Sequence, residues 1–125
     1  MNKDQKRRDE IMCFDEPKYV GGLERFEELK AEQLETLIKE GFVNSTDAKK
    51  SSPTTQEYLD FMKANEGVWA HGFVITADRD DCRLVIDGLL FLDKSSDELK
   101  ENFKKFCEKA DDLKIEKDEL YGYWD

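Results

Sequence analysis

The chain has 125 residues, with 30 Asp and Glu against 20 Lys and Arg, and a formal net charge of -10. A chain of this length makes one domain with a single core. No apolar run approaches the ~20 residues that span a bilayer, and the acidic balance opposes binding to nucleic acid or an anionic membrane.

Residues 1–10 hold almost no apolar side chain, so they are expected to be a disordered N-terminal segment ahead of a single domain over residues 11–125. They also lack the apolar stretch of a secretory signal, which makes the cytoplasm the default compartment. Gly21-Gly22 reads as a turn, because two glycines in succession accept positive φ at no steric cost. A helix follows, with Leu34, Leu37 and Ile38 on one face and Gly41 at its end. Its start is open: Phe26 and Leu29 either extend it toward Leu23 or belong to a separate element.

Asn44 to Ser51 is a polar loop. Ser52 and Pro53 then suit the cap and first position of a second helix, which carries Tyr58, Leu59, Phe61 and Met62 and ends at Gly67. Val68–Thr76 and Cys82–Phe91 are rich in β-branched and aromatic residues and flank the polar Ala77–Asp81 turn, so they predict an antiparallel hairpin. Pleating puts Trp69, His71, Phe73 and Ile75 on one face of the first strand, and Cys82, Leu84 and Ile86 on one face of the second. Ser95 and Glu98 match a capping box for a third helix, whose stripe is Leu99, Phe103, Phe106, Cys107 and Ala110. The aromatic end, Leu120 to Asp125, suits a further strand. The fold class is therefore α+β: a two-layer domain in which about three helices cover an antiparallel sheet built on the central hairpin.

His71 is the only histidine. It reads first as a satisfied strand histidine, and second as a catalytic candidate paired with Asp87 across the hairpin if the register allows. A catalytic triad needs nucleophile, base and orienter in mutual reach, and no spacing identifies the third group, so an enzyme ranks behind a binding role and the question stays open. Cys13, Cys82 and Cys107 have neither disulfide nor zinc spacing. Cys82 and Cys107 read as small core side chains. Asp78, Asp80 and Asp81 fail the EF-hand pattern, because Cys82 and Arg83 stand where a ligand and the turn glycine belong. No metal and no cofactor is implied.

The string His71-Gly72-Phe73-Val74, together with Arg79-Asp80-Asp81-Cys82-Arg83 and the terminal Tyr121-Gly122-Tyr123-Trp124-Asp125, resembles a pattern in small bacterial proteins of uncharacterised activity. In size, acidity and α/β content the chain is also similar to immunity proteins of bacterial toxin systems. That second resemblance implies a protein-binding module that engages a basic protein. Asp78, Asp80, Asp81, Tyr121, Tyr123 and Trp124 are its candidate contacts, and a small ligand-binding domain or enzyme with a cleft near His71 is the competing function.

Overall fold

In the computed structural model, which describes residues 2–14, 19 and 21–125, the predicted hairpin forms the centre of a five-stranded antiparallel sheet. Strands β2 (Trp69–Ile75) and β3 (Leu84–Phe91) pair with each other. Strand β1 (Leu23–Leu29) adds to β2, β5 (Leu120–Tyr123) adds to β3, and β4 (Asp112–Ile115) closes the far edge. The order is β1-β2-β3-β5-β4. Helices α2 (Ala31–Lys39), α3 (Thr55–Ala64) and α4 (Asp97–Phe106) bury their stripes against one face. Leu34, Leu37, Tyr58, Met62 and Phe103 meet Ala70, Val74, Ile86 and Leu89 there in one core cluster. The protein is thus a single α+β domain, with four helices where three are expected.

The additional helix is α1 (Gln5–Met12), inside the segment expected to be disordered. Its sequence has little to bury, and polar bonds hold it instead. Asp4 caps its first turn by accepting from the Arg7 N–H. The buried Arg8 guanidinium donates to the Ile75 carbonyl at 2.9 Å, and the Gln5 side chain accepts from the Ala77 N–H at 2.8 Å. Composition misses such a segment, because backbone acceptors elsewhere satisfy its polar groups. Ile11 and Met12 then enter the core.

Phe26 and Leu29 belong to a separate element, β1. A register irregularity between them replaces the two-residue period of a strand with a spacing of three. That spacing imitates a helix, which is why the sequence left the start of α2 open. The helix caps shift by small steps. Thr54, not Ser52, caps α3, because Glu57 lies three residues on and returns a bond to the Thr54 N–H. Ser52 closes the preceding turn by accepting from the Lys49 N–H. Ser96, not Ser95, caps α4 and accepts from the Leu99 N–H, which puts Asp97 and Glu98 in the first turn beside the unpaired N–H groups.

The strand faces follow the pleat as far as Ile86. There the β2–β3 register shifts: Gly72 pairs with Ile86, but His71 pairs with Gly88, which leaves Asp87 as the extra residue of a β-bulge. The bulge keeps Asp87 on the same side as His71 and returns Leu89 to the core side. Gly88 is required here. A Cβ at this position would lie 2.0 Å from the Gly122 carbonyl oxygen and 2.3 Å from Cε1 of His71. Gly88→Ala is therefore expected to cost about 2–3 kcal/mol through forced displacement of backbone. A urea unfolding midpoint equal to wild type would show that the sheet yields more easily than this packing implies.

Candidate functional site

Among the described residues, no helix covers one face of the sheet. By the alternation of the strands it presents Arg25 from β1, His71 and Phe73 from β2, Leu90 from β3 and Tyr121 and Tyr123 from β5. His71 is only 3% exposed, although it lies on this open face. Its ring crosses the backbone of Gly88, which has no side chain to obstruct it. Tyr121 stacks on it at 5.1 Å between centroids and 11° between planes, and Tyr123 lies 6.2 Å away.

Each imidazole nitrogen faces an oxygen. Nδ1 lies 2.6 Å from the Asp87 carboxylate, and Nε2 lies 2.9 Å from the Gly122 carbonyl oxygen. Both oxygens are acceptors, so either ring nitrogen can donate to the one it faces when it carries a proton. Asp87, 1% exposed, also receives the Arg25 guanidinium at 3.2–3.3 Å. Burial disfavours the Asp87 charge. The His71 hydrogen bond, the His71 charge and the Arg25 charge outweigh that and hold the carboxyl below the usual carboxylate range.

This geometry decides what His71 can do. A general base needs a free lone pair within reach of a substrate proton, and here both nitrogens are engaged within the protein. The histidine joins three strands: it grows from β2, bonds the bulge of β3 and reaches the backbone of β5. The pairing with Asp87 that the sequence suggested is present, and it ties the three strands together.

Above this buried pair lies a groove of about 450 Å³, lined by Arg25, Glu27, Leu92, Glu119, Tyr121 and Tyr123 among others. Leu92 is 53% exposed, and the Arg25 side chain is 47% exposed. Hydrophobic, aromatic and charged groups therefore converge on a rigid floor.

The other candidate contacts lie elsewhere. Asp78, Asp80 and Asp81 are exposed on the β2–β3 connection, at the opposite end of β3 from Leu90 and the two tyrosines. Arg79 forks onto Asp81 with two bonds of 2.8 Å and donates to the Gly21 carbonyl, so the turn is tied to its neighbour. Trp124 is a core residue and no part of a surface patch. Its ring meets Tyr58 and Phe106 edge-on, and it is 1% exposed. Cys82 and Cys107 are buried free thiols. Among the described residues, no group of three or more His, Cys, Asp or Glu side chains is placed to hold a metal ion, and no helix is long and apolar enough to cross a membrane.

Sequence reasoning missed Arg25, Leu92 and Gly88, the glycine that lets His71 lie flat, whereas Gly122 reads from the sequence as a point of close approach and leaves room for Cys107 on the core side. Asp87-Gly88 inside an apolar run was the available signal, since an isolated glycine in a strand marks a bulge or a close approach. No family model matches the chain, and no curated protein or solved structure matches it either. Fold and site together define it as a small α+β domain with an open sheet face.

His71→Phe removes the main partner of a buried carboxylate and is expected to destabilise the fold by about 3–5 kcal/mol. Asp87→Asn keeps an acceptor for Nδ1 and should cost less. The pH dependence has a definite sign. The folded-state pKa of Asp87 is depressed, so its contribution is present above the ordinary carboxylate range and is lost as pH falls through the folded value. Urea unfolding between neutral and acidic pH should show a steeper acid loss in wild type than in Asp87→Asn. Parallel curves would refute the coupling.

Proposed function

We propose that this chain is a protein-binding module that docks a basic protein on its helix-free sheet face. One observation carries the reading. Leu92, Tyr121, Tyr123 and the half-exposed Arg25 surround one groove on a rigid sheet. Aromatic residues and arginine are the side chains enriched at interface centres, where a few anchors supply most of the binding energy.

Charge supports the nature of the partner. Glu27 and Glu119 stand on the groove, and a net charge of -10 attracts a basic surface from a distance. An immunity-type inhibitor of a basic toxin is the form of this reading that size and acidity favour. The docking residues differ from those suggested by sequence: Tyr121 and Tyr123 remain, while the Asp78–Asp81 turn and Trp124 give way to Arg25 and Leu92. The enzyme alternative has less support, because both His71 nitrogens face oxygens of the protein.

The test is affinity purification from the native host at low and high salt, with wild type and Leu92→Asp as baits. A partner recovered at low salt is expected to bind Leu92→Asp about 30-fold more weakly, the effect of losing a 2 kcal/mol anchor. Asp80→Asn should leave its affinity nearly unchanged. Recovery of the same proteins by wild type and Leu92→Asp would remove this face as the docking site.

A further inference from the structure

A second site lies on the same sheet but away from the open-face groove. Strand β3 is eight residues long, yet β5 pairs only with its second half, Gly88 to Phe91. The last bond of that ladder runs from the Trp124 N–H to the Asp87 carbonyl at 2.8 Å. The first half, Leu84 to Ile86, pairs with β2 on one side and, among the described residues, with no strand on the other.

The direction of its backbone groups follows from the pairing. The Ile75 N–H donates to the Arg83 carbonyl, so Arg83 and Val85 turn their polar groups toward β2. Leu84 and Ile86 turn theirs the other way, toward the track that β5 would occupy if it continued. That track opens into a cavity of about 290 Å³, close to the lower end of the ~300–1,000 Å³ range of ligand pockets. Asp47, Lys49, Thr55 and Tyr58 line its opposite wall.

Tyr58 supplies an independent observation. It is 1% exposed, and its hydroxyl makes no well-formed hydrogen bond among the described residues, with Ser52 as the side chain beside it. An unsatisfied buried hydroxyl costs stability. A bound group that supplies a partner would recover that cost. Polar groups presented at alternate residues with strand spacing are complementary to one chemistry above others, an extended peptide backbone.

We infer that the cavity beside Leu84–Ile86 binds an extended peptide segment, which adds a strand to β3 in line with β5 and offers a hydrogen-bonding group to the Tyr58 hydroxyl. Recognition is mainly by backbone and so tolerant of sequence. The site is independent of the open-face groove, and a ligand on one leaves the other free.

The experiment uses the full chain, isotope-labelled, and a degenerate pool of N-acetylated, C-amidated hexapeptides. A second pool has the same side chains but methylated backbone nitrogens at alternate positions. The unmodified pool is expected to shift the amides of Leu84, Ile86 and Lys49, and the methylated pool is expected to leave them in place. Tyr58→Phe should melt at or above the wild-type temperature, because it removes a buried hydroxyl that costs stability, and should bind the unmodified pool about 2–10-fold more weakly. Absence of shifts, equal shifts from both pools, or shifts confined to the open face would overturn strand addition. Unchanged affinity of Tyr58→Phe would remove the hydroxyl from the site. A wild-type dimer that protects the Leu84 and Ile86 amides would assign the edge to a second copy of this chain instead.

Discussion

A carboxylate held at 1% exposure must be paired, because an unpaired buried charge is among the most costly defects a fold can contain. Asp87 is that carboxylate, and much of the sheet is arranged around it. The β3 bulge turns it to the open side of the sheet, and Gly88 leaves room for the imidazole that meets it. The second nitrogen of that imidazole ends on the backbone of β5. The C-terminal hairpin is therefore joined to the central strands by a side chain as well as by the backbone ladder. A bulge next to an unobstructed glycine would ordinarily weaken a strand. Here both are conditions for the contact that links three strands.

The same contact separates two properties of the open face. His71 and Asp87 are buried beneath Tyr121, Tyr123 and Arg25, and both imidazole nitrogens face oxygens of the protein, so the floor of the groove is held in place while contact area remains on the rim. Arg25 serves both roles. Its guanidinium balances Asp87 from one side, and nearly half of its side chain faces solvent on the other. A residue in this position keeps its orientation before any partner arrives, which lowers the entropy lost on docking.

How much of this was legible depended on the range of the forces involved. The hairpin, the α2 stripe, the α4 stripe and the burial of the aromatic terminus follow from local periodicity, and they were read correctly. The His71–Asp87 pair was within reach because both residues lie on one hairpin. Helix α1 was lost because Arg8 and Gln5 find their partners 67 and 72 residues away, on the Ile75 carbonyl and the Ala77 N–H. Strand β1 stayed ambiguous because its irregular register has a helical spacing. Strand β4 went unseen because its four residues, Asp-Leu-Lys-Ile, pair only with β5 at the sheet edge and bury little. Arg25 could not be found at all. Its importance comes from pairing opposite Phe73, a register position that no local pattern encodes.

The net charge of -10 has a narrower meaning once the carboxylates are placed. Asp87 is consumed inside the fold, Glu40 is held by Arg7 and Asp81 by Arg79. Glu35 meets Lys63, and Glu119 lies 3.8 Å from Lys114. In the turn with the greatest local density of acid, Arg79 and Arg83 both sit on Asp81 and offset its charge, while Asp78 and Asp80 stay exposed. What remains is a diffuse negative field over helix faces and edges. Such a field speeds encounter with a basic surface but does not choose among basic surfaces. Selection has to come from shape and desolvation at a defined place. In the proposed reading the tyrosines, Leu92 and Arg25 are that place, with Glu27 at its margin carrying the sign of the field into the groove.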